Sequence, residues 1–90
     1  MMKKAFHATN NIEEILATGE IRPTRMSNVF LVGNEVSANL YAKRFGCNDV
    51  LSVAYDTKDV ERIWRPAYID HGKVIKLKPG KIAKVTEVES

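Results

Sequence analysis

The stretch KKAFHATNNIEEILATGEIRPTRMSNVFLVG, residues 3–33, decides the fold reading of this chain. It passes from a short apolar run through a segment of helical period to a second apolar run. Lys3 to Ala8 reads as a short strand around Ala5-Phe6-His7. Asn10 or Asn11 then caps a helix; with Asn10 as the cap, Glu13 falls at the capping-box spacing. Ile12, Ile15 and Leu16 lie on one helical stripe, and Gly19 is a natural stop. Pro23 keeps the residues before it extended, and Thr24 to Asn28 is a polar loop. Val29 to Val32 is a compact buried strand ended by Gly33.

Downstream, Asn34 caps a second helix with Val36, Leu40 and Phe45 on its apolar side and Gly46 after it. Leu51 to Tyr55 is near-continuously apolar and reads as an interior strand. Asp56 to Arg62 resembles one short helical turn. Ala67 to Asp70 and Lys73 to Leu77 suggest a hairpin turning at His71-Gly72. Pro79-Gly80 is a turn, and Ile82 to Val88 forms a last strand. Helices fall in the first half and antiparallel pairing in the second. That order predicts an α+β fold rather than a doubly wound sheet.

The 90 residues suit a single domain, 1–90, with no room for a second core. Apolar residues at 44% and charged residues at 28% fit an ordinary globular protein and exclude a disordered tail. The single Cys47 cannot close an internal disulfide, which favours a reducing compartment. The basic start Met1-Met2-Lys3-Lys4 runs into only Ala5 and Phe6 before His7, so neither a signal peptide nor a membrane helix fits. A cytoplasmic location follows, with no membrane partner. No metal site, Gly-rich phosphate loop or nucleophile elbow is present, and no cofactor is expected.

Net charge is +3, unevenly placed. Between Arg62 and Lys84 the basic residues Arg62, Arg65, Lys73, Lys76, Lys78, Lys81 and Lys84 face Asp70 alone. Such a half either favours an anionic partner or is a solvated lysine-rich surface.

Three segments in order carry a family resemblance. Phe6-His7-Ala8-Thr9, the helix with Ile15-Leu16 and Gly19, and Ile21-Arg22-Pro23 resemble the opening of ADP-ribosyltransferase-like folds. Val29-Phe30-Leu31 through Ser37-Ala38 to Tyr41-Ala42 is similar to their second signature, and Leu77-Lys78-Pro79-Gly80-Lys81-Ile82 to a late segment. The resemblance implies a compact split sheet around a cleft that grips NAD. It gives His7 with Thr9 a place on the ribose and Phe30 a stacking role. It also implies a late-strand glutamate for transferase activity, and this sequence offers none there. In its size the chain further resembles small phage proteins that sequester cyclic dinucleotides such as 3′,3′-cGAMP. That implies a role against host cGAS-type (CBASS) immunity, in the host cell cytoplasm.

The residues supply a matching inventory. His7 and Thr9 end a strand beside a helix N-terminus, which favours an anion. Arg22, Arg25 and Asn28 flank the polar loop, and arginine both forks phosphates and stacks on purines. Trp64, Arg65 and Tyr68 form a second cluster that either sandwiches a base or caps a small core. Tyr41 divides between core and cleft. No catalytic residue is assigned, since His7 has no visible orienting partner.

Three function classes result. The first is a non-catalytic protein that sequesters a cyclic dinucleotide or related nucleotide, with no long nucleic acid expected as partner. The second is an enzyme, a minimal NAD-dependent ADP-ribosyltransferase or an RNA 2′-phosphotransferase-like protein. The third is a module that binds a host protein through the basic half. Oligomeric state is left open by the sequence.

Overall fold

The computed structural model describes residues 1–23 and 27–89. β1 (Met2–Thr9) leads into α1 (Ile12–Thr18), β2 (Glu20–Ile21), β3 (Phe30–Val32) and α2 (Glu35–Phe45). There follow β4 (Asp49–Asp56), β5 (Val60–Trp64), β6 (Val74–Leu77) and β7 (Ala83–Glu89). The strands form one antiparallel sheet in the order β2-β7-β4-β1-β3-β6-β5, which makes the fold α+β.

Side-chain alternation gives this sheet two buried faces. Ala5, Leu31, Leu51, Val53 and Ile75 point to one face, where Ile15 of α1 covers them. Phe6, Val32, Val50 and Val74 point to the other, against Ala38 and Ala42 of α2. β4 sits inside the sheet with Leu51, Ser52 and Val53 wholly buried. Its near-continuous apolar run follows from covering both faces.

β1 joins its two neighbours very differently. It pairs with β4 along its whole length, from Met2↔Asp56 to Thr9↔Asp49. With β3 it shares the single pair Phe6↔Val32. The ladder is continuous across the sheet, whereas the resemblance implies two small sheets. Beyond Phe6, β1 and β3 part and leave a fork.

Several local expectations are corrected. Of the two caps the sequence allows for α1, Asn11 is the N-cap, with no capping bond from its side chain, so the capping-box spacing from Asn10 is not used. Asn10 instead ties β1 to the turn after α2: its Nδ2 donates to Gly46 O (3.0 Å), and its Oδ1 accepts from Asn48 N (2.7 Å). The capping-box partner is thus taken by a tertiary contact.

On α2, Asn34 does cap, accepting from Ser37 N at 2.8 Å. The buried face, however, is Ser37, Ala38 and Ala42, while Val36 and Phe45 are exposed at 68% and 52%. Small residues win because the helix lies close on the chain. A Cβ added at Gly72 would strike Ser37 Oγ, and that Oγ donates to Ile69 O at 3.0 Å.

The helical turn expected at Asp56 to Arg62 is confined to a 3₁₀ turn, Thr57–Asp59, and the chain then extends as β5. Pairing with β6 outweighs the local preference there. The hairpin expected between Ala67–Asp70 and Lys73–Leu77 is likewise replaced. Pro66 opens a 3₁₀ turn, Ala67–Ile69, and Asp70 and His71 both take positive φ (57° and 58°). The true partner of β6 on that side is β5. No helix among the described residues is long and apolar enough to cross a membrane.

Candidate functional site

The fork between β1 and β3 opens into a groove of about 630 Å³, within the range of small-molecule sites. α1, the start of β3 and the C-terminal end of α2 wall it. The groove gathers His7, Thr9, Arg22, Asn28, Phe30 and Tyr41. Arg25 lies outside the described residues. Trp64, Arg65 and Tyr68 do not line it.

His7 bridges the fork. Its Nδ1 lies 2.9 Å from Phe30 O, at the level where the two strands have stopped exchanging backbone bonds. A carbonyl only accepts, so Nδ1 carries the proton and donates. Loss of hydration around the ring pushes its pKa below 6.5, against a smaller upward pull from the Phe30 carbonyl. The ring is therefore neutral near pH 7, and Nε2 is an acceptor. Such an acceptor suits a hydroxyl or N–H of a ligand better than a phosphate.

Two of the gathered residues also build the walls. Thr9, buried, accepts from Asn11 N at 2.9 Å and so turns the chain into α1. Asn28 donates to Leu77 O at 2.8 Å and pins the strand entry. Phe30 is packed edge to face against Trp64, ring centroids 6.2 Å apart, so Trp64 braces it from outside the groove. Arg62 lies over Trp64 at 5.0 Å, and Arg65 reaches His71 O at 3.4 Å.

Among the described residues the groove carries both signs of charge. Arg22 is bonded through Nε (3.2 Å) and Nη2 (2.9 Å) to one oxygen of Glu20. Glu14 and Glu20 both line the groove. Much of the basic half lies elsewhere and is partly spoken for: Lys76 pairs with Glu61 at 3.0 Å and Lys81 with Asp59 at 4.0 Å.

Tyr41 and Cys47 also face the groove. Burial, then the nearby Tyr68 and Cys47, push the Tyr41 hydroxyl above its usual range, so it stays a donor. Burial raises the Cys47 thiol as well, which keeps it protonated and a poor nucleophile near neutral pH. Among the described residues no group of three or more His, Cys, Asp or Glu could hold a metal ion.

Sequence reasoning missed Glu14, Glu20 and Phe45 as groove residues. Signals existed for two of them. Glu20 stands two residues before Arg22 in an extended segment, hence on the same side. Phe45 stands four after Tyr41 on a helix, and the rings meet at 4.5 Å. Glu14 gave no such signal.

No family model, curated protein or solved structure matches this chain. The site is accordingly read from its own chemistry.

Proposed function

We propose that the groove holds a nucleotide by its nucleoside part and releases it unchanged, so that the protein sequesters its ligand. The observation that carries this reading is the neutral His7, whose Nδ1 donates to Phe30 O so that Nε2 is the acceptor, in a groove that Phe30 also lines. A ribose hydroxyl can donate to that nitrogen, while Phe30 and Tyr41 offer apolar surface to a base. Asn28 and Thr9 add polar edges. A cyclic dinucleotide such as 3′,3′-cGAMP is the ligand that the phage resemblance implies. It would need Arg22 to exchange Glu20 for a phosphate, since Arg22 is the cation that lines the groove among the described residues.

Calorimetry with adenosine monophosphate, NAD and 3′,3′-cGAMP tests the reading, followed by denaturation and chromatography of the released ligand. Heat with at least one of them, and its recovery intact, is the expected result. Absence of heat with all three would sink it.

Glu14 and Glu20 favour a second reading, an enzyme acting on NAD, because a carboxylate in the groove can stabilise a developing positive charge. Consumption of NAD, lost in Glu14→Gln or Glu20→Gln, would put this reading first.

A further inference from the structure

The apolar stripe that the sequence marks on α2 is not used by the core. Packing on the sheet takes Ser37, Ala38 and Ala42, and Val36 and Leu40 are left on the outer side of the helix, exposed at 68% and 36%. One turn apart, they form a continuous apolar strip. Beside it Glu35, Asn39 and Lys43 also follow at steps of four, a second line with an acid at its N-terminal end and a base at its C-terminal end. A further groove of about 400 Å³ runs along that line, lined by these three and by Asn48 and Asp49 at the entry to β4. Among the described residues Glu35, Lys43 and Asp49 have no ion-pair partner.

Whatever covers this face must meet apolar surface and both signs of charge at fixed positions. A polyanion or an anionic membrane surface is repelled by Glu35 and Asp49. A second copy of α2 fits, in one orientation. When identical helices pack antiparallel about a two-fold axis, each flank faces the same flank of the other helix, reversed end for end. Val36 then packs on the partner's Leu40, and Glu35 stands opposite the partner's Lys43, twice. Parallel packing sets like ends together and leaves ~12 Å of helix rise between Glu35 and the partner's Lys43.

We propose that the chain self-associates through α2, laid antiparallel on α2 of a second copy, with the two Glu35–Lys43 pairs fixing the register. This goes beyond the nucleotide reading and does not depend on it. Tyr41 and Phe45 wall the first groove from the other side of α2, so the dimer leaves that groove open. A contact one short helix long lies at the low end of interface sizes, so the dimer is weak, with Kd on the order of 10–100 μM.

Sedimentation velocity of the whole chain, over concentrations bracketing that value, should show a monomer passing into a dimer. Val36→Lys, at a position the core does not use, should weaken association at least about tenfold with unchanged far-UV circular dichroism. Glu35→Lys and Lys43→Glu should each weaken it about fivefold, the size of two surface pairs lost. An equimolar mixture of those two variants should recover the wild-type association, because the mixed dimer again sets acid opposite base at both ends. A monomer at every concentration overturns the proposal, and so does a dimer that Val36→Lys leaves intact. A mixture no tighter than its separate components overturns it too, since the flanks then do not meet in the antiparallel register.

Discussion

The two sides of β1 are the instructive contrast in this molecule. Toward β4 the ladder runs the full strand, Met2↔Asp56 to Thr9↔Asp49; toward β3 it is one pair, Phe6↔Val32. A ladder uses up the backbone groups that line it and leaves side chains to pack. Where β1 and β3 part, the backbone no longer closes the gap, and a side chain, His7, takes over the Phe30 carbonyl. The groove exists because pairing was given up there. The two apolar faces of the sheet stay filled on either side of it, so the fork is held open by a packed frame.

The contrast can be broken from the well-laddered side first. Leu51 is fully buried in β4. Leu51→Ala should lower unfolding free energy by about 2–5 kcal/mol in denaturant titration. A loss below about 1 kcal/mol would mean that this side is not the anchor of the fold.

On the other side, Gly72 sits where a Cβ would strike Ser37 Oγ. Gly72→Ala should cost about 1–3 kcal/mol through overpacking. Amide exchange should show the effect concentrated in β3, β5 and β6, with β4 and β7 largely spared. Uniform loosening would show that the single pair couples the two sides as firmly as the long ladder does.

His7 is the link itself. His7→Leu keeps bulk but leaves Phe30 O without its donor, at an expected cost of about 0.5–1.5 kcal/mol. A pH signature accompanies it. The folded state holds the imidazole pKa below 6.5, so the unfolded chain binds more protons as pH falls past that value. Wild-type stability from this group is complete above 6.5 and declines as pH drops through the folded value. The difference between wild type and His7→Leu should therefore narrow on acidification. A difference independent of pH would mean that His7 is not held neutral.

The smallest effect concerns ligand and not fold. Glu20→Gln removes a half-exposed partner from Arg22, a pair worth well under about 1 kcal/mol. Stability should hardly move, while affinity for a phosphate-bearing nucleotide should rise about two- to threefold, within that energy by the usual conversion. Unchanged affinity would remove Arg22 from the ligand's reach.

Much of the frame was legible in the chain because local chemistry and tertiary structure agree there. Gly19 and Gly46 end the helices at positive φ (73° and 69°), Asn34 caps α2, and the Leu51–Tyr55 run lies in the interior. The errors share a cause. The capping-box alternative for Asn10 was read from its neighbours in sequence, whereas its bonds go to Gly46 and Asn48. The apolar stripe of α2 was read from hydrophobicity, whereas close approach at Gly72 selected small residues. Of the site residues, His7, Thr9, Arg22, Asn28, Phe30 and Tyr41 share one groove, and Trp64, Arg65 and Tyr68 do not line it.

By itself, then, the sequence determined the α+β class, both helices with their glycine stops, and one strand of the sheet's interior, β4. Hydrophobic period, caps and turn residues are local properties, and they specify local structure. Only the tertiary structure decided that β1 leaves β3 after one pair, that His7 spans the gap as a neutral donor, and that Glu20 occupies Arg22. Those depend on which backbone groups go unpaired and which charges meet across the fold, and residues 23 positions apart, such as His7 and Phe30, carry no mark of it in their order.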